Sequence, residues 1–433
     1  MTVQPARITL CEYGRQVVEG VRLTSADRHR ISDPRLVERI RVQELAHGRL
    51  ELTAGPYVGV VQLDSCEIRV RPKYLGEELD VLRMLAYVQG RAGSLDAGRT
   101  LAGGTPNLRD LVALLFVDQA ERLLARGVRR DYLTLEGDLP VVRGRLLPER
   151  QLVRHHGRVD RLACRFDEHD ADILDNRLCA AAAGLAARTA HSPVVRARAR
   201  RVAAQFARYA PTPLGDLRTA LAGLDYHRHN AHYQDAHRWA VLLLTGGGID
   251  DLFSGGPLAA RAFLIDMNAL FESFAVRLLG DASATAGSGF SVQDQARHRG
   301  VLHNEHTGRH YSEVRPDALL SGHRGGRPVR RPVDVKYKLY DTKKVSTADL
   351  YQAFLYAHAL ARQPAGETPT CVLLHPGGPT AARASVAVRR WDGGTSARVR
   401  TVPLDLSAVL HALSEGGAGR REALLRLWDQ VAA

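Results

Sequence analysis

Long apolar runs are missing from this 433-residue chain. Leu111 to Val117 and Ala240 to Leu244 come nearest, and both fall well short of the ~20 residues that span a bilayer, so no membrane segment is expected. Cysteine is scarce: Cys11, Cys66, Cys164, Cys179 and Cys371 are odd in number, scattered and never arranged as Cys-x-x-Cys. That pattern speaks against a disulfide framework or a thiolate zinc site and leaves small core residues as the expectation. No Gly-x-x-x-x-Gly-Lys-[Ser/Thr] phosphate loop is present, so the chain is not expected to hydrolyse nucleotides itself, and no Gly-x-Ser-x-Gly elbow supports a serine hydrolase. The opening Met1-Thr2-Val3-Gln4-Pro5 lacks a basic stretch followed by an apolar one, so no secretory signal is read and a cytoplasmic location is expected. Lysine is the most informative shortage. Of 60 basic residues only Lys73, Lys336, Lys338, Lys343 and Lys344 are lysine. The bias looks like the coding habit of a GC-rich genome, so the exceptions carry the information. Four of the five lysines fall between Lys336 and Lys344, where a compact ammonium can do what a planar guanidinium cannot.

The rest of the composition is that of a folded globular protein, with 45% hydrophobic and 25% charged residues. A formal charge of +13 points to a polyanionic partner such as nucleic acid, because clustered cations release its condensed counterions. Short alternating runs from Ile8 to Pro72, such as Tyr57-Val58-Gly59-Val60-Val61-Gln62-Leu63, read as a β-rich module. From Leu108 to Leu244 the spacing becomes helical, interrupted by an extended or hairpin segment over Gly137 to Leu146. Gly246-Gly247-Gly248 marks a boundary, after which helix and strand candidates mix. The expected fold is a multidomain α/β protein: a β-rich N-terminal docking module over 1–100, a mainly helical region over 101–248, and an α/β domain over 249–433.

Chemistry concentrates in that last region. In Val314-Arg315-Pro316-Asp317-Ala318-Leu319-Leu320 a carboxylate sits in a short apolar strand, and in Pro332-Val333-Asp334-Val335-Lys336 a second one precedes a lysine by two residues. Period-two alternation puts Asp334 and Lys336 on one face. If the two strands pair, with Ser321 to Arg330 as hairpin loop, Asp317 and Asp334 converge on one divalent cation. Hard oxygen ligands suit Mg²⁺, which polarises a phosphate and activates a bound water, while a lysine orients the nucleophile or stabilises developing charge. Downstream, Ser346 is placed to cap a helix with Asp349 three residues on, and that helix presents Gln352 and Tyr356 on one face. In the helix from Asp266, Glu272 is flanked by apolar positions and is expected to be partly desolvated and to need a metal or cationic partner.

The Asp317, Asp334 and Lys336 arrangement resembles the PD-(D/E)xK restriction-endonuclease-like superfamily, and that resemblance implies that the carbonyl of Val335 also ligates the metal. The Gln352 and Tyr356 pair resembles the RecB-like branch, where it lies beside the metal site and DNA. Whole phrases are similar to the McrC family, the nuclease partner of the McrB GTPase. They include Ile68 to Lys73, Leu82 to Tyr87, Arg143-Gly144-Arg145-Leu146, Cys164 to Glu168, Asp175 to Leu178, Phe263 to Phe274, Arg315-Pro316-Asp317, Asp334 to Lys338 and Val345 to Tyr356. The resemblance implies an Mg²⁺-dependent endonuclease subunit of a modification-dependent (type IV) restriction system. It implies catalytic roles for Asp317, Asp334, Lys336, Glu272, Gln352 and Tyr356, double-stranded modified DNA as substrate, and docking on a McrB-like AAA+ GTPase ring whose hydrolysis it stimulates. Arg143 and Arg145 are the candidates for partner contact, and Arg324, Arg327, Arg330 and Lys338 for DNA. A non-cleaving DNA-binding adaptor of an AAA+ NTPase and a free-standing nuclease are the alternatives.

Two further clusters carry less. His227, His229, His232 and His237 match no zinc-ligand spacing and read as a satisfied helical cluster. Arg196, Arg198, Arg200 and Arg201 read as a solvated helix face.

Overall fold

The computed structural model describes residues 6–75, 78–88, 108–158, 160–246, 262–340, 344–364, 366–378, 381 and 384–432. They fall into two compact units, one drawn from Met1–Gly59, Leu63–Thr100 and Ile265–Ala433, the other from Val60–Gln62 and Leu101–Leu264. Each unit mixes helices with sheet, which makes the protein α/β and multidomain. The β-rich N-terminal stretch and the C-terminal region share the first unit. The expected boundary at 248/249 lies outside the described residues. No helix among the described residues is long and apolar enough to cross a membrane.

In the N-terminal part of the first unit, Arg15–Val18, Arg49–Ala54 and Ile40–Leu45 form an antiparallel sheet in that order, and Ala6–Cys11 pairs in parallel with Cys66–Arg71. Ile40 and Val42 are buried while Arg41 and Gln43 are exposed, the alternation that marks a one-sided strand. Asp27 ties this part together. Its carboxylate accepts from the backbone N–H of Asp64 at 2.7 Å and Ser65 at 3.1 Å, pairs with Arg30 at 2.9 Å, and closes a capping box with Thr24. Cys11, expected in the core, is exposed; the other four cysteines are buried.

The C-terminal part of this unit is built on a six-stranded sheet in the order Ser291–Asp294, Ala318–Arg324, Arg327–Val335, Thr370–Pro376, Thr395–Leu404, Ser385–Arg389. Thr370–Pro376 is buried along its whole length between two parallel neighbours, as a strand covered on both faces must be. Helix Thr347–Leu360 covers one side, with Ala353, Tyr356, Ala357 and Leu360 packed on Leu319, Cys371, Leu373 and Val399. Helix Met267–Thr285, capped by Asp266, packs against Ser291–Asp294 and Arg327–Val335 and buries Phe271 and Phe274 completely, each worth roughly 1.5–3 kcal/mol.

The hairpin expected around Asp317 and Asp334 forms, but its loop is not Ser321 to Arg330. The strands zip up to Arg324↔Arg327, leaving only Gly325 and Gly326 in the turn. Both have positive φ (56° and 77°), which is what a tight two-residue hairpin turn requires and glycine supplies without strain. Arg324, Arg327 and Arg330 therefore sit on strands. Asp317 lies one residue before its strand, not within it, and the strand that carries Asp334 ends at Val335, one residue short of Lys336.

The second unit is helical, with Leu108–Arg126, Leu174–Thr189, Pro193–Tyr209 and Gln234–Leu244, and the extended segment expected over Gly137 to Leu146 belongs to a larger three-stranded sheet. In it Asp131–Leu139 pairs antiparallel with Leu162–Asp170, which in turn pairs with Arg145–Leu146. Gly144 is obligatory there: a Cβ would stand 2.4 Å from the Arg165 carbonyl oxygen. A polar network fixes the helices, with Tyr233 accepting from the Arg129 N–H at 2.8 Å and donating to Asn176 at 2.7 Å.

Candidate functional site

The register of the hairpin builds the site. Ala318 faces Val333, so the residues one step outward, Asp317 and Asp334, come opposite each other at the open end of the pair. The Asp317 carboxylate accepts the Val335 N–H at 2.6 Å, and Lys336 Nζ donates to Asp334 Oδ1 at 3.0 Å. The backbone of Lys336 is held by the next strand, its N–H donating to the Leu374 carbonyl at 2.9 Å. Asp334 is 1% exposed, and its second oxygen, Oδ2, is buried with no hydrogen-bond partner.

Two carboxyl groups buried this closely oppose each other's ionisation. Burial and the Asp334 charge push Asp317 up to about 6, against the Val335 N–H, which works the other way. Burial also raises Asp334, although Lys336 draws it down. For Lys336 burial favours the neutral amine, but Asp334 outweighs it and keeps the ammonium charged. A divalent cation would resolve this arrangement: the donors are hard oxygens, and an orphaned carboxylate oxygen points to a missing positive partner. Among the described residues no group of three or more His, Cys, Asp or Glu is disposed to hold a metal, so the available donor set is two carboxylates, with the Val335 carbonyl as the superfamily resemblance suggests.

Neighbouring residues fix this centre. Ser346 caps helix Thr347–Leu360 through the Asp349 N–H. One turn on, Gln352 donates to the Tyr356 hydroxyl at 2.8 Å, and that hydroxyl donates to the Arg315 carbonyl at 2.9 Å, anchoring the segment that ends in Asp317. Glu272 is half-buried and accepts from the side-chain amide of Gln295 at 2.5 Å, with the Arg315 charge nearby. Burial and the nearby Asp317 raise its pKa. Gln295 is a residue that reading the sequence missed: its backbone is left-handed (φ 43°) and its N–H donates to the Asp317 carbonyl at 3.0 Å. Nothing in its local sequence signals this. Glu12 is equally hidden. Its buried Oε1 accepts the Lys73 N–H at 2.6 Å and the Tyr337 hydroxyl at 2.9 Å, while Tyr337 packs against Tyr74 and Phe271.

Some candidates are committed elsewhere. Lys338 makes two bonds of 3.0 and 3.1 Å to Asp349, which Tyr340 and Ser346 also hold. Arg324 donates to the Ala432 carbonyl, and the buried Arg331 to the Val431 carbonyl at 2.8 Å, so these cations cap the last turn of helix Gly417–Ala432. Arg327 and Arg330 are exposed, and Lys343 lies outside the described residues. Arg198 pairs with Asp118 and Glu121. The histidines are not one helical cluster. His227 and His229 precede the helix, His232 lies in a 3-10 turn, and His237 is buried, accepting from Tyr226 and donating to the Asp175 carbonyl, both at 3.0 Å. Arg143 lies over the Phe166 ring at 4.6 Å, and Arg145 is exposed opposite Arg165.

Fold and site together describe a multidomain α/β protein with a buried aspartate pair and a lysine at a sheet end. The family model for the McrBC 5-methylcytosine restriction system component matches residues 52–376. The chain belongs to this McrBC family, as a McrC-type member. A solved structure, a refined half-complex from the tetradecameric assembly of Thermococcus gammatolerans McrB AAA+ hexamers with bound McrC, is similar in fold over 98% of this chain and 99% of that one, with a TM-score of 0.64 at 17% identity. A cryo-EM structure of the Thermococcus gammatolerans McrBC complex matches over 64% of this chain and 88% of that one, with a TM-score of 0.46 at 20% identity. No curated protein matches the chain.

Proposed function

We propose that the chain is the Mg²⁺-dependent endonuclease subunit, of PD-(D/E)xK type, of a McrBC-like restriction system, acting on modified double-stranded DNA and docked on a McrB-like AAA+ GTPase ring. The observation that carries the reading is the Asp317 and Asp334 pair with the unpartnered Asp334 Oδ2 and the Lys336 ammonium 3.0 Å from Oδ1. Asp317, Asp334 and the Val335 carbonyl would hold the metal, which when bound supplies Lewis acidity to the scissile phosphate and its attacking water.

The chain's own residues do the rest. Lys336, kept charged by Asp334, offers N–H donors to the attacking water and the phosphate oxygens. Tyr356, steadied by Gln352, holds the Arg315 carbonyl and with it the approach to Asp317. Gln295 holds Glu272 beside Asp317 as a further acid or base for the water. The absent phosphate loop assigns GTP hydrolysis to the partner, with the exposed Arg143 to Arg145 turn as a contact for it.

The test is a cleavage time course on a modified-cytosine duplex with a McrB-like GTPase, Mg²⁺ and GTP. Asp317→Asn and Asp334→Asn are expected to lose cleavage at least about 100-fold while stimulated GTP hydrolysis stays near normal. Persistent cleavage in either variant would remove that residue from the centre. Robust cutting of unmodified DNA by the chain alone, without nucleotide, would refute the partner-dependent mechanism.

A further inference from the structure

Between the sheet strand Ser291–Asp294 and Asp317 the chain makes a ribbon of two antiparallel strands, His298–Asn304 and Arg309–Val314, which pair with each other and with no further strand among the described residues. A two-stranded ribbon is marginal on its own in water. This one is rooted at its base, where Val301, Leu302 and Val314 pack on the cluster that contains Tyr356 and Ala357.

Beyond the root it is rooted in nothing. Arg309, His310, Tyr311, Ser312 and Glu313 are all exposed, so neither face of that strand is buried, whereas a strand held for packing hides every second side chain. The tip is nevertheless shaped: Asn304 Oδ1 accepts the N–H of His306 at 3.0 Å and of Thr307 at 3.1 Å, and Gly308 closes the turn with φ 64°. Arg309 and Tyr311 share one face, Tyr311 is 76% exposed, and neither side chain has a hydrogen-bond partner among the described residues. Within the ribbon Arg299 and Arg309 are matched in number by Glu305 and Glu313, Arg299 pairing with Glu313 at 2.7 Å, and the excess cationic charge comes from Arg297 and Arg315 at its foot.

An ordered ribbon with an exposed ring, an arginine beside it on the same face and two more arginines at its foot suits a polyanion with grooves, and a two-stranded ribbon fits the major groove of a duplex, about 12 Å wide. The ribbon ends three residues before Asp317, on the segment that Tyr356 anchors. We infer that it is a duplex-DNA contact arm, with Arg309 and Tyr311 gripping the sugar-phosphate backbone and setting the duplex against the Asp317 centre. The inference rests on the proposed nuclease function.

The experiment measures binding of the full chain to a fluorescent duplex of about 30 base pairs by anisotropy, in EDTA so that cleavage does not intervene, over a range of NaCl concentrations. The variant Arg309→Glu with Tyr311→Ser is expected to weaken Kd at least tenfold and lower the slope of log Kd against log salt by about 1, with an unchanged melting temperature. Arg421→Glu, the same charge change at an exposed position on another element, is expected to bind nearly as wild type. Unchanged affinity and slope in the ribbon variant, or an equal loss in Arg421→Glu, would overturn the arm while leaving the nuclease reading intact. Failure of the wild type to bind duplex even at the lowest salt would instead bring down the nuclease reading, and the arm with it.

Discussion

Replacing Lys336 with arginine keeps the charge and installs the cation that this chain uses at 55 of its 60 basic positions. The geometry predicts that the exchange fails. Nζ donates a 3.0 Å bond to a carboxylate that is 1% exposed, from a side chain that is itself only 19% exposed, so there is little room to re-aim a larger planar group. A hydrogen bond between charged groups is worth about 1.5–3 kcal/mol net. If guanidinium cannot reproduce it where the reaction needs it, that range corresponds to a rate loss of about 10- to 160-fold. Misplacing a donor aimed at developing charge adds to this, so a loss near the upper end is expected. The assay is single-turnover cleavage with partner, Mg²⁺ and GTP. Lys344→Arg, an exposed position beyond the strand, serves as the control and should cleave at the wild-type rate. Wild-type rates in Lys336→Arg would show that only the charge matters here and would refute the reasoning.

Two further predictions concern stability. In EDTA at neutral pH, Asp334→Asn removes one of two buried like charges and should raise the melting temperature by several degrees, while Mg²⁺, which should stabilise the wild type, no longer does so; a lower melting temperature in EDTA would mean that the Lys336 bond outweighs the repulsion. Asp27→Ala should cost about 3 kcal/mol in denaturant unfolding, since it strips several bonds from a fully buried carboxylate. Burial alone would raise the Asp27 pKa, but hydrogen bonds from the Asp64 N–H, the Ser65 side chain and the Thr24 N–H lower it overall. Its stabilisation is therefore full above the unfolded value of about 4 and fades as pH falls through the lower folded value. A wild-type acid unfolding curve with the same midpoint as that of Asp27→Ala would contradict this.

What could be read in the sequence was whatever local periodicity encodes. Asp334 and Lys336 alternate onto one face, Asp317 faces Asp334 through the register, Ser346 caps its helix, and Gln352 meets Tyr356 one turn on. What escaped depends on distant parts of the chain. The Arg324 side chain is taken up by a helix end more than a hundred residues away. Glu272 finds Gln295 only because that residue turns left-handed beside Asp317. The hairpin loop was overestimated because Gly325 and Gly326 let two arginine-rich strands close completely, and arginine-rich flanks look like loop in a sequence. The exposed ribbon before Asp317 left no pattern either, since neither of its faces is consistently apolar.

The bond from Tyr337 to Glu12 bears on how this protein can be divided. The two residues lie 325 positions apart, yet one buried carboxylate oxygen receives both the tyrosine that follows Lys336 and the backbone of Lys73, the one lysine outside the 336–344 group. A fragment beginning after residue 265 would keep Asp317, Asp334 and Lys336 but lose Glu12, Lys73 and Tyr74. The Tyr337 ring would then lose its contact with Tyr74, and its hydroxyl would be left to find a new acceptor. The part that carries the aspartate pair is therefore not a portable cassette, and grafting it onto a DNA-binding protein would require the first seventy-five residues to travel with it.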